Sequence, residues 1–305
     1  MVAPALPSLP PNPTPAELDA LTAAPERWLP VLEALAGRHG LQGLQPPPSS
    51  TVLVGLAERG VIKLYPPFLR DHFAFERAAL AQVQGRLSLP TPELQAEGDH
   101  EGWPYLVMSR LPGRTLEHGW ADCTEAQKCA LLHTIGRVAA ELHALPVAPM
   151  QAVAPCWPEF LRGQREGCEA RQRRTGLPPH LLDQLGAFLQ GPVPEGPDVM
   201  LTGEFTPFNL LAEGAQLSGM IDFGDGLVGP REYDWLGPLC FFVEGHAARA
   251  EAYFSGYGVP VPRHWREELL RLLLLHRYSA LPAQMKMPGW QTATDFTQLA
   301  AGWLP

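Results

Sequence analysis

Hydrophobic and polar positions divide the chain into an early part with strand-like runs and a later part with helical spacing. Within residues 16–37 the apolar positions Leu18, Leu21, Trp28, Val31, Leu32 and Leu35 recur at helical intervals and a glycine closes the run, which predicts one helix. Residues 45–50, with three prolines, predict a linker or turn. Residues 51–57 and 60–65 are short apolar runs around a Glu58-Arg59-Gly60 turn and predict two strands, and residues 73–84 predict a helix. Leu89-Pro90-Thr91-Pro92 leads to a turn at residues 98–102, after which residues 105–108 predict another strand. From Thr124 the spacing becomes helical: Thr124 caps a helix that runs to Leu145 and stops at Pro146. Further helical patterns cover residues 157–174, 181–189, 236–254 and 265–281, while the Pro-rich residues 1–15 predict a loose arm.

One stretch in the helical half departs from this spacing. Residues 209–211 and 217–221 are apolar and flank Glu213-Gly214-Ala215, which predicts a hairpin. Such a hairpin delivers Glu204, Asn209 and Asp222 to one edge. Asn and Asp oxygens can hold Mg²⁺ on the phosphates of a nucleotide, and a nearby carboxylate can orient an acceptor hydroxyl, which is what phosphoryl transfer needs. Upstream, Lys63 interrupts the apolar strand Val61-Ile62-Lys63-Leu64-Tyr65, in a chain whose only other lysines are Lys128 and Lys286. By pattern alone a solvated strand position explains Lys63 as well as a functional one does. Glu76, thirteen residues on in the helix that follows, supplies the carboxylate that a phosphate-gripping lysine needs and favours the functional reading.

Thr202-Gly203-Glu204, then Asn209, then Ile221-Asp222-Phe223-Gly224-Asp225 resemble the catalytic loop and metal loop of the aminoglycoside phosphotransferase family. Those are small-molecule kinases built on the protein-kinase fold, with hygromycin and choline kinases among their relatives. The resemblance implies an α+β, two-lobed protein-kinase-like fold. Residues 1–108 would form a nucleotide-binding lobe of β-sheet with a helix, 109–113 a hinge, and 114–305 a larger, mainly helical lobe with the catalytic and metal loops and the acceptor site. It implies ATP and Mg²⁺ as cofactors, with Lys63 and Glu76 at the α- and β-phosphates, Met108, Ser109 and Leu111 at the adenine, and Asn209 and Asp222 on the metal. Glu204, Asn209 and Asp222 would form the catalytic set. No G-x-G-x-x-G precedes Lys63, which favours the antibiotic-kinase branch over protein kinases and leaves phosphate cover to the backbone of residues 49–51. The glycine after Asp222-Phe223 is expected to make the tight turn that aims the carboxylate. Asp225 is expected in a local turn, with contact to metal or substrate as the alternative, His143 and Asp234 in the scaffold, and acceptor contacts within residues 147–198 and the C-terminal helices.

The family usually has His-Gly-Asp where this chain has Thr202-Gly203-Glu204. Glutamate reaches one methylene further, and a displacement of ~1 Å costs on the order of 10²-fold where geometry supplies the catalysis. Two readings follow: a kinase for a hydroxyl of an aminoglycoside, amino sugar or other metabolite, or a nucleotide-binding pseudokinase or scaffold. The carboxylate retained at position 204 favours the enzyme.

Composition narrows the partners. The 305 residues suffice for two lobes with a core, and 46% hydrophobic with 18% charged residues fit a globular enzyme. A net charge of −9 and pI ≈ 5.6 argue against nucleic acid as the main partner, which would need basic stripes. The acidity is compatible with a cationic substrate, though ordinary solubility is the better-supported reading. Five cysteines without CxxC or Cys/His spacing predict reduced thiols and a cytoplasmic protein. Neither a signal peptide nor a membrane span is expected, and a monomer or homodimer is.

Overall fold

The computed structural model describes residues 8–305. Residues 1–7, the start of the expected loose arm, lie outside the described residues. From Leu9 on the arm is not loose, because Leu9 is buried and Trp103 Nε1 donates to Pro10 O at 3.0 Å. The helix expected over 16–37 is two, α1 (Pro15–Thr22) and α2 (Leu29–Gly37), with a 3₁₀ turn at Pro25–Arg27 between them. Pro25 and Pro30 are the physical reason. Each lacks an N–H and is tolerated only where a helix begins.

The first sheet has the order β1-β2-β4-β3 with antiparallel pairs: β1 (Leu53–Leu56), β2 (Gly60–Leu64), β3 (Leu94–His100) and β4 (Trp103–Ser109). α3 (Arg70–Val83) is inserted between β2 and β3. β3 corrects the sequence reading, which placed only a turn there. Its Leu-Gln-Ala-Glu-Gly-Asp-His is a half-exposed edge strand with few apolar residues to mark it. In β2 and β4, alternation sends Ile62, Leu64, Trp103, Tyr105 and Val107 to the face covered by Trp28, Leu32 and Leu35. Tyr65, Leu106 and Met108 go to the opposite face, with Phe75, Ala79 and Leu80 of α3. Both faces are buried, so these strands read as unbroken apolar runs. Lys63 pairs in register with Val54 and Leu106 and shares the α3 side of the sheet.

Beyond Ser109 the chain is mainly helical. β5 (Arg114–Thr115) precedes α4 (Glu125–His143), whose Thr124 forms the expected cap with a reciprocal Gln127 bond. α5 (Ala148–Gln151), α6 (Trp157–Thr175) and α7 (Pro179–Phe188) follow. Then come β6 (Asp198–Leu201), β7 (Leu210–Glu213), β8 (Gln216–Met220) and β9 (Leu227–Pro230). β7 and β8 are the expected hairpin, joined edgewise by β5, and β6 pairs with β9 as a separate ribbon that the sequence reading missed. α8 (Glu232–Pro238), α9 (Ala247–Tyr257), α10 (Arg266–Leu274), α11 (Leu281–Gln284) and α12 (Phe296–Trp303) complete the lobe. The helix expected over 236–254 breaks after a π-helical turn at Leu239–Val243, where Glu244 and Gly245 take positive φ. That expected over 265–281 ends at Leu274, and the interruption puts His276, Arg277 and Tyr278 beside the hairpin. One apolar core runs from Val54 and Phe75 through α4 and α9 to Trp303, joining the sheet lobe to the helical lobe.

Candidate active site

Lys63 is where the two lobes meet. Its Nζ donates to both carboxylate oxygens of Glu76, at 2.9 and 3.0 Å, and to Asp222 Oδ1 at 2.8 Å. Burial opposes the charge on Lys63, but Asp222 and Glu76 more than offset it and hold the ammonium above its ordinary range. Glu76 is fully buried and also accepts from the Tyr65 hydroxyl and, at 3.4 Å, from Phe223 N. Burial pushes its carboxyl up against the pull of Lys63.

Asn209 and Asp222 sit just outside the open end of the β7–β8 hairpin, where Ile221 N donates to Asn209 O at 2.9 Å. Asp222 itself takes the left-handed conformation, φ 64°, whereas Gly224 does not take positive φ. The turn that aims the carboxylate is therefore made by the aspartate and not by the glycine expected to make it. Strain of this kind collects at functional sites. Asn209 Nδ2 donates to Glu204 Oε2 at 3.1 Å, and its Oδ1 has no hydrogen-bond partner among the described residues. Among these residues no cluster of three or more His, Cys, Asp or Glu forms a metal cage. One amide oxygen and one carboxylate fit the habit of Mg²⁺, which takes one or two protein oxygens and completes its shell with water and phosphate.

The loop carrying Glu204 is fixed from three sides. Asp234 accepts from Thr202 N and Gly203 N, both at 2.9 Å, and is itself held by His143 Nε2 at 3.1 Å. His143 Nδ1 lies 2.8 Å from the Tyr257 hydroxyl, which completes a buried chain from α4 and α9 to the loop. Thr202 Oγ1 accepts from Glu204 N at 3.1 Å. His276 Nε2 donates to Gly203 O at 3.0 Å, while its Nδ1 accepts from Tyr278 N at 3.2 Å. Burial brings the His276 imidazole down to about 4, so it is neutral and its tautomer is fixed by these two bonds. Gly203 has φ 76°, and a Cβ there would stand 2.6 Å from Asp225 O.

Asp225 leaves the simple turn expected for it and joins three distant segments. It accepts from Arg277 Nη1 at 2.9 Å and Tyr278 OH at 2.8 Å, and His72 Nδ1 of α3 lies at 3.2 Å. Burial opposes its ionisation, but His72 and Arg277 bring its carboxyl down to about 2. Glu204 goes the other way. Burial first, then repulsion from Asp225 and Asp222, push it up to about 8 against the Asn209 bond and the more distant Arg277. Two carboxyl groups in one site thus have affinities for protons driven far apart, a pattern that marks acid–base chemistry.

Beside Glu204 opens a cavity of about 370 Å³ with walls that include Phe208, Leu236, Phe241 and Leu273. The walls come from residues 203–208, 236–241 and 273–286; of the two expected acceptor regions, the C-terminal helices contribute Leu273, Ala283 and Gln284, and residues 147–198 contribute none. Met108 is buried between β2 and β3, and Ser109 N and Oγ are both taken by the backbone of Glu93. Leu111 N has no protein acceptor among the described residues. At the suggested phosphate cover, Ser50 Oγ donates to Val52 O at 2.7 Å. His72, Asp225, His276, Arg277 and Tyr278 were missed as site residues. Asp225 lies within the metal-loop motif, but no local motif marks the other four, because their meeting depends on α3, the metal loop and the break after α10.

The sequence profile described as Phosphotransferase enzyme family matches residues 48–269. A homoserine kinase from Rhizobium meliloti (strain 1021) is 29% identical over 210 residues, 64% of this chain; the match spans only 60% of that relative's length. Among solved structures, the GDP complex of wild-type aminoglycoside 2'-phosphotransferase-IIIa has a TM-score of 0.68 at 17% identity, over 92% of this chain and 98% of the other. The streptomycin–ATP ternary complex of APH(2")-IIa has a TM-score of 0.61 at 18% identity, over 80% of this chain and 88% of the other. At such identities the likeness shows the fold, which is the expected two-lobed kinase-like one.

Proposed function

This chain belongs to the phosphotransferase enzyme family, and from that premise we propose that it uses ATP to phosphorylate a hydroxyl of a small molecule. The observation that carries the reading is the convergence of Lys63, Glu76, Asp222, Asn209 and Glu204 beside the cavity. Lys63, oriented by Glu76, binds the α- and β-phosphates. The free Leu111 N–H receives the adenine, with Met108 and Ser109 forming the wall behind it. Asn209 and Asp222 would hold Mg²⁺, which would supply positive charge to the phosphates of the nucleotide. The acceptor hydroxyl reaches Glu204 from the cavity. Its oxygen bonds to the γ-phosphorus as that phosphorus separates from the β–γ bridging oxygen; the hydroxyl proton passes to Glu204 and ADP departs. A carboxylate raised to about 8 is matched to accept a proton near neutral pH.

A second reading draws on the same residue. Glutamate where the family usually has aspartate also suits a nucleotide-binding pseudokinase. ATP binding with and without Mg²⁺, followed by ADP release against homoserine, aminoglycosides and other alcohols, separates the two. Magnesium-dependent binding with acceptor-stimulated ADP release supports the kinase. Glu204→Gln is then expected to reduce transfer by at least ~10²-fold with ATP affinity within about twofold. Unchanged turnover in that variant removes Glu204 from the mechanism, and a wild-type protein that binds no nucleotide sinks both readings.

A further inference from the structure

The cavity beside Glu204 is poorly suited to a polycation. The chain carries a net charge of −9, yet the cavity wall contains one carboxylate, Glu204, and one ammonium, Lys286. Asp225, the nearest further acid, already accepts from Arg277 and Tyr278. Several positive charges brought here would meet apolar surface at Phe208, Phe241 and Leu273, with no further carboxylate in the lining to pair with. The cavity of about 370 Å³ also lies near the lower end of the ~300–1,000 Å³ common for ligand sites.

One charged group in the wall is unaccounted for by the fold. Lys286 is exposed and makes no ion pair among the described residues. An ammonium at a cavity wall is a ready partner for an anion.

Resting on the kinase reading above, we propose that the acceptor is a small hydroxy carboxylate, anionic or zwitterionic, and not a polycationic aminoglycoside. Its hydroxyl faces Glu204, its carboxylate pairs with Lys286, and its carbon skeleton lies on the apolar wall. Lys286 then determines specificity, while Glu204 serves the chemistry.

Calorimetric titration in the presence of ADP and Mg²⁺ tests the pocket independently of turnover, with L-homoserine, D-glycerate, ethanolamine and kanamycin as probes. The wild-type protein is expected to bind at least one of the two carboxylates and to bind kanamycin and ethanolamine more weakly. Lys286→Glu should weaken the carboxylate by about tenfold to a hundredfold, the range for a charged hydrogen bond, and Lys286→Arg should restore most of it. Tighter binding of kanamycin, failure of both carboxylates to bind, or unchanged carboxylate affinity in Lys286→Glu overturns the inference. ADP formation from ATP, measured in parallel reactions with the same probes, reads the kinase. Carboxylate binding that depends on Lys286 without ADP formation keeps the carboxylate pocket and removes the kinase reading, and with it the acceptor role.

Discussion

Glu204 sits in a loop fitted to its own length: Asn209 reaches its carboxylate, and Thr202 Oγ1, Asp234 and His276 fix the backbone that leads into it. Glu204→Asp is therefore expected to lower kcat by about 10²-fold despite restoring the family's usual residue. A faster Asp variant would show that the loop is not adapted to glutamate, and steady-state kinetics with the acceptor decide it. His276 gives a prediction about stability. Folded, its imidazole titrates near 4, whereas unfolded it titrates near 6.5. Between those values the unfolded chain binds a proton that the native protein refuses, so native stability falls as pH drops from 6.5 toward 4. The loss is roughly 2–4 kcal/mol. Urea midpoints at pH 7.5 and 5 should differ less in His276→Gln than in the wild type. The residues that spacing could reveal, Lys63, Glu76, Glu204, Asn209 and Asp222, lie on two short segments and a local hairpin. Asp225, His72 and Arg277 were illegible as a group because 153 residues separate His72 from Asp225 and 52 more separate that from Arg277.

Elements packed by backbone rather than by side chains set the frame for that loop. α4 and α9 approach so closely that a Cβ on Gly136 would overlap Tyr253 O, and one on Gly256 would overlap His133 O. Each helix places a glycine against the other's carbonyl. Gly256→Ala should cost about 1–3 kcal/mol by forcing the pair apart. Gly163→Ala, in α6 with open space at its Cβ, should instead stabilise by about 0.5–1 kcal/mol. Thermal melts of both variants check this, and equal shifts would remove the close-packing argument. The element-level reading of the sequence followed the same logic. α4, α6, β2 and the hairpin were legible because a cap, a full amphipathic period or a turn residue agreed with the burial pattern. β3 was not, since an edge strand needs few apolar residues, and the break after Leu274 was not, since Leu269–Leu275 continues a helical pattern until tertiary contacts claim His276.

At the scale of the whole molecule, α1 and α2 cover a face of the first sheet that would otherwise expose Ile62, Leu64, Trp103, Tyr105 and Val107. Removing residues 1–40 should therefore leave a chain that binds a hydrophobic dye and self-associates, read by fluorescence and size-exclusion chromatography. A monomeric truncation with wild-type melting would deny these helices a structural role. The long-range bracing of the Glu204 loop has a consequence in time as well as in space. Its supports come from His143, Asp234 and His276, and the Lys63–Asp222 bond spans 159 residues. During synthesis at ~5–20 residues per second, the sheet lobe leaves the ribosome many seconds before His276 does. The Glu204 loop is thus among the last parts of the chain to be assembled, and a nascent polypeptide that ends short of residue 276 lacks the support that His276 gives it.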